Sequence, residues 1–134
     1  MNMSTDASPK ILIAEDNESV AKMLCLCLRE AGFDTTEVTT GGEALKILQQ
    51  QPPDGAVLDL QLPNGQGGAV LDWLRQSERQ IGSVPVWVVI SALDREEATR
   101  RYGPLGNHFL AKPFDPWDLV AMLWDLLSAK RAPP

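Results

Sequence analysis

From end to end the chain alternates between runs too short to be helices and stretches with helical periodicity. This alternation constrains its fold more than any other feature. Lys10 to Ala14 (KILIA) is brief and β-rich, the pattern of a strand covered on both faces, and Glu15 and Asp16 end it abruptly. From Ser19 to Ala31, Val20, Met23, Leu24, Cys27, Leu28 and Ala31 recur at helical steps, and Gly32 closes the helix. Phe33 to Thr39 reads as a more polar strand, nearer a sheet edge. Thr40-Gly41-Gly42-Glu43 has capping-box spacing and opens a helix that Pro52 and Pro53 stop. Gly55 to Asp59 (GAVLD) is a third strand, again ending in a carboxylate. A loop through Pro63, Asn64, Gly65 and Gly67 leads to a helix carrying Val70, Leu71 and Leu74. The most apolar run, VPVWVVI from Val84 to Ile90, is expected at the centre of the sheet, with Pro85 at its start. Asp94 and Glu97 cap a helix that Gly103 and Pro104 cut short; His108 to Ala111 is a fifth strand. Asp115-Pro116 opens the last helix.

Such βα repeats, joined by right-handed crossovers, predict an α/β fold: an open five-stranded parallel sheet with helices on both faces. A closed eight-fold barrel needs about 250 residues, and this chain has 134. The expected organisation is one domain over residues 10–129, with short tails at 1–9 and 130–134. No apolar run approaches the roughly eighteen residues of a membrane span, and the polar start lacks the order of a signal peptide. Cys25 and Cys27, two apart on a helix, point to different faces and do not bridge, which makes a reducing cytoplasm the expected home. The formal net charge of -6 disfavours direct nucleic-acid binding.

Ligands of open parallel sheets sit at the carboxyl ends of the strands. There the chain places Glu15 and Asp16, Asp59, Ser91 and Lys112, far apart in sequence but due to converge. Three neighbouring carboxylates repel one another, so a cation is implied beside Lys112. Mg2+, or Mn2+ in its place, suits an all-oxygen site. There is no phosphate-binding glycine loop for a nucleotide and no histidine base at the rim, because the lone His108 starts the fifth strand. What remains is a carboxylate nucleophile: Asp59 attacking phosphorus, with Lys112 and the metal stabilising charge and Ser91 bonding a phosphoryl oxygen. Taken singly, these residues also have plain structural readings, Glu15 or Asp16 as a helix cap and Asp59 as a turn residue. Their coincidence at separate strand ends favours the site.

ILIAEDN (11–17), AVLDLQLPNGQGG (56–68), VWVVISA (86–92) and FLAKPF (109–114) together resemble the receiver domains of two-component response regulators. The resemblance implies a doubly wound, flavodoxin-like (βα)5 fold. It makes Asp59 the residue phosphorylated by a sensor histidine kinase or a histidine phosphotransfer protein. Mg2+ is then held by Asp16 directly, by Glu15 through water, by Asp59, and by the backbone carbonyl of Gln61. Ser91 and Phe109 become the switch hydroxyl and the switch aromatic, Phe109 entering space that Ser91 vacates, and Lys112-Pro113 a cis peptide. Slow self-dephosphorylation is expected, not conventional turnover. The resemblance leaves a non-phosphorylated interaction module as the alternative. With no output domain after the last helix, a stand-alone regulator or the receiver part of a larger protein is expected. Departures from the family pattern are a short fourth helix, EEATRRY, with little apolar stripe, and a flexible Gly65-Gln66-Gly67 stretch beside the acceptor. Gln61 is long enough to approach the phosphoryl group, and Trp117, near Phe114, is expected on a partner surface.

Overall fold

The computed structural model describes residues 8–82 and 84–131. Most of both expected tails, residues 1–7 and 132–134, lies outside them. The strands are β1 (Lys10–Ala14), β2 (Asp34–Val38), β3 (Gly55–Asp59), β4 (Val86–Ser91) and β5 (Phe109–Ala111). Between and after them run α1 (Glu18–Glu30), α2 (Gly41–Gln50), α3 (Gln66–Ile81), α4 (Arg95–Tyr102) and α5 (Pro116–Arg131). All pairings are parallel, in the order β2-β1-β3-β4-β5. The chain therefore winds outward in both directions from the β1/β3 junction, and the carboxyl ends there form the crevice where such sheets bind ligands. Among the described residues no helix is long and apolar enough to cross a membrane.

Period-two alternation divides the core into two layers. Ile11, Ile13, Val57, Val88 and Ile90 pack on the α1/α5 face with Leu24, Leu28, Leu119 and Leu123. Leu12, Ala14, Ala56, Leu58, Trp87 and Val89 pack on the opposite face with Leu48, Leu71, Leu74 and Ala98. Trp87 is core, and Trp73 and Trp124 are half-buried and pack against the two layers, Trp124 stacking on Phe33 with ring centroids 4.5 Å apart.

The structure corrects the expected place of the most apolar strand. The central strand is β3, not the more apolar β4, which lies next to the edge. Hydropathy reports how many faces are covered, not the place in the sheet: helices cover both faces of β4, and three-residue β5 shields its outer edge. Pro85 precedes β4, where its missing N–H breaks no ladder bond. The polar β2 is the other edge, as expected.

Candidate phosphoacceptor site

The register brings the rim together. Ala14 pairs with Leu58, so Glu15 falls level with Asp59. Asp59 itself pairs with Ile90, and Ser91 with Ala111, so Ser91 and Lys112 follow one step beyond. Backbone bonds hold these ends: Leu60 N–H donates to Ile90 O at 3.0 Å and Lys112 N–H to Ser91 O at 2.7 Å. The Lys112-Pro113 peptide is cis. Close beneath Asp59, α3 begins against the strand end, which requires Gly67: a Cβ there would lie 2.4 Å from the Leu60 carbonyl oxygen and 2.5 Å from that of Asp59. Gln66 in the same turn accepts the Gly41 N–H at 2.6 Å, tying α3 to the start of α2. The stretch expected to be flexible is thus the first turn of a packed helix, and only Gly65, left-handed at φ 70°, keeps a glycine-type backbone without close neighbours.

Oxygen atoms of Glu15, Asp16 and Asp59 lie within 4.8 Å of one another. Glu15 and Asp59 are buried, while Asp16 faces solvent. The competing role of the acidic pair as a helix cap is filled by Asn17, whose side chain accepts the Val20 N–H at 3.1 Å. Lys112 Nζ donates to Glu15 Oε1 at 2.7 Å and to Asp59 Oδ2 at 3.3 Å. Asp59 Oδ1 accepts the Gln61 N–H at 2.8 Å, and Glu15 Oε2 the Asn17 N–H at 3.1 Å.

Burial pushes the Glu15 carboxyl up from its ordinary range, and the charge of Asp59 adds to this. The bonds from Lys112 and Asn17 offset only part of the rise. Burial on its own would lower the Lys112 ammonium, but its bond to Glu15 and the charges of Asp59 and Glu15 outweigh that and raise it. Lys112 is therefore a fixed cation, and one cation for three carboxylates leaves net negative charge in a partly buried oxygen cluster. That donor set fits a hard divalent ion such as Mg2+.

On the other side of Asp59 the groups are neutral. Ser91 is fully buried; its hydroxyl accepts the Leu93 N–H at 3.0 Å and donates to Gln61 Oε1 at 3.3 Å. The same Gln61 oxygen accepts the Ala92 N–H at 2.8 Å. Phe109 is already inside, among Val89, Ala98 and Leu105, with the Arg95 guanidinium 5.3 Å from its ring centroid. Only Ala98 of α4 is buried, as the sequence of that helix implied. His108 lies at the opposite end of the sheet, stacked on Trp87 and bonded through Nδ1 to its carbonyl at 2.8 Å, so it takes no part in the rim. The sequence reading missed the Ala92 and Leu93 amides and the role of Arg95. Amides carry no residue-type signal, and an arginine over an aromatic ring across a loop leaves no spacing to detect.

An aspartate between an acidic pair and a lysine, at the carboxyl edge of an open parallel sheet, defines a class of phosphoryl-accepting α/β proteins. The family model described as the response regulator receiver domain matches residues 11–124, and the chain belongs to that family. It is similar to the DNA-binding response regulator MtrA of Mycolicibacterium smegmatis, 33% identical over 84% of this chain and 47% of MtrA. It also resembles the phosphate regulon transcriptional regulatory protein PhoB of Escherichia coli, 29% identical over 85% of this chain and 49% of PhoB. The chain thus spans about half the length of the curated relatives it matches. Among solved structures, the receiver domain of the Francisella response regulator 1452 superposes with a TM-score of 0.78 at 30% identity, covering 92% of this chain and 100% of that one. Family membership makes the chain a phosphoacceptor module of two-component signalling.

Proposed function

We propose that Asp59 accepts a phosphoryl group from the phosphohistidine of a sensor histidine kinase or histidine phosphotransfer protein. A carboxylate oxygen of Asp59 bonds to phosphorus as the P–N bond breaks, the electron pair leaving with the imidazole nitrogen. The observation that carries this reading is the wiring of Asp59, whose two oxygens are held by the Lys112 ammonium and the Gln61 N–H beside a cluster of carboxylates. Lys112 offsets charge gathering on the transferred group, and the Ser91 hydroxyl is a donor for one of its oxygens. Mg2+ would be held by Asp16, Glu15 through water, Asp59 and the Gln61 carbonyl, with Mn2+ as a substitute. When bound, it neutralises negative charge shared by acceptor and phosphoryl group.

The phosphodonor docks beside this rim on the apolar surface of Val20, Met23, Pro113 and Phe114, which adjoins Lys112. Trp117, 49% exposed near the start of α5, offers further apolar surface to the donor. Phosphorylation then acts through Ser91 and Phe109 on the α4 side, where an output domain fused in a longer protein or a separate downstream protein reads it. MtrA is by name a DNA-binding regulator; in this chain the acidic rim and the -6 charge argue against direct contact with nucleic acid. The unbridged cysteines suit the cytoplasm as the site of exchange.

Beryllofluoride, a non-covalent phosphoryl mimic, tests the reading. With Mg2+ it should shift the Ser91, Ala92 and Lys112 amide resonances in wild type and leave Asp59→Asn unchanged. A folded, metal-binding wild type that gives no response would leave only the interaction-module alternative.

A further inference from the structure

The side chain of Gln61 occupies hydrogen-bond donors that the proposed reaction needs. Asp59 ends β3, and the next strand end presents two donors toward the same rim, the Ser91 hydroxyl and the Ala92 N–H. A phosphoryl group on Asp59 brings three acceptor oxygens into this space. Both donors are already bonded to a single acceptor, Gln61 Oε1, at 3.3 and 2.8 Å. Gln61 is otherwise exposed, yet its amide turns inward across the acceptor to reach the start of the β4–α4 loop. The Ser91 hydroxyl has no spare proton, because its one O–H goes to Gln61 while its oxygen accepts from Leu93.

We propose that the Gln61 side-chain carbonyl is an internal plug in the phosphoryl-oxygen site, and that the incoming group must displace it to gain Ser91 and Ala92. The inference rests on Asp59 being the acceptor. It assigns the side chain of Gln61 a role separate from that of its backbone carbonyl. In the free protein the plug satisfies both donors at the start of the β4–α4 loop. Ligand binding therefore exchanges one acceptor for another at these donors, where a site without the plug would gain both bonds outright. The plug lowers affinity for any group that mimics the phosphoryl oxygens.

Two measurements on wild type and Gln61→Ala, both at saturating Mg2+, test this. In the ligand-free protein, Ala92 N–H exchange should speed up in the variant, since the Gln61 oxygen that accepts it is gone. The affinity for beryllofluoride should rise about three- to tenfold, the factor expected when a net hydrogen bond no longer has to be exchanged. Unchanged Ala92 exchange, or Asp59-dependent binding that is equal or weaker in the variant, overturns the plug alone. Absence of Asp59-dependent binding in both proteins overturns the acceptor reading and the plug with it.

Discussion

The two sides of Asp59 are built on different physics. On the β1/β3 side, ionised groups are buried and wired to one another: Glu15 is 1% exposed and is held by Lys112 and by the Asn17 N–H. On the β4–α4 side the contacts are neutral, running from the buried Ser91 hydroxyl out to the exposed Ala92, and the helix they lead into buries one alanine. Arginines tie that helix and the loop after it to their surroundings, Arg75 from α3 and Arg95 from the first turn of α4 itself. Arg75 donates to the carbonyls of Tyr102 and Pro104, and Arg95 to that of Gly106. The charged side is costly to disturb and fixes the chemistry. The neutral side is attached by a few exchangeable bonds, and it is there that a new group on Asp59 has the least structure to overcome.

The largest expected effect comes from Gly67→Ala, at the floor of the charged side. The new Cβ would meet two backbone carbonyl oxygens at 2.4 and 2.5 Å, and backbone cannot rotate away as a side chain can. We expect a loss of about 3 kcal/mol, read from the urea midpoint. Gly42→Ala is the control, since nothing lies within 4 Å of the place its methyl would take and α2 gains a better helix former. Equal effects at the two glycines would show that α3 is not seated against the end of β3.

Lys112→Met should cost about 1–3 kcal/mol in metal-free protein, because it strands the buried Glu15 and leaves Asp59 beside it. The sign of its pH dependence follows from Glu15, whose pKa is already raised by burial. Protonation discharges the unpaired group, so the penalty is greatest at neutral pH and shrinks as pH falls through the raised value. A penalty independent of pH would mean that packing of the lysine stem, not charge, is what Lys112 supplies.

Arg75→Ala probes the other side and should be milder, about 1 kcal/mol. It removes the clamp on the end of α4 and a cation 5.8 Å from the Trp87 ring centroid. Amide exchange should quicken near Gly103, whose N–H donates to Thr99 O, while amides of β1 and β3 keep their protection. Uniform loosening across the sheet would erase the distinction between the two sides.

How much of this was legible beforehand depends on what kind of information each feature carries. GAVLD was readable as a strand ending on a carboxylate because its burial, length and terminal charge all lie within five residues. The convergence of Glu15, Asp59, Ser91 and Lys112 was also readable, since parallel βα topology alone delivers strand ends to one rim. The place of β4 was not, because being buried on both faces and being central in the sheet give the same apolar run. Nor was the packing of Gly67, where the constraint is a backbone approach and a glycine looks the same in a loose loop as in a tight one. The Gln61 link to Ser91 and Ala92 joins residues about thirty apart through one side-chain rotamer. Length told that Gln61 reaches the site, but not which donors it meets there.

Glu43 lies off both sides and supplies the smallest effect. Its carboxylate accepts the Thr39 N–H at 3.2 Å and the hydroxyls of Thr39 and Thr40, while Thr40 returns a bond to the Glu43 N–H at 3.1 Å. The capping box expected from the sequence is thus present, with its return bond shifted one residue back. The Thr39 N–H and the Thr40 hydroxyl, in that order, hold the Glu43 carboxyl below its ordinary value. A depressed carboxyl contributes stability that is fully present above the unfolded value of about 4.3 and is lost as pH falls through the lower folded value. Glu43→Gln should therefore lower the urea midpoint slightly at pH 7, and the two proteins should converge in acid. Because the site is fully exposed and serves only α2, Ala92 exchange and beryllofluoride affinity should not move. A change in either would mean that the start of α2, tied to α3 through Gln66, transmits to the surroundings of Asp59, and the two-sided division would have to admit a third contributor.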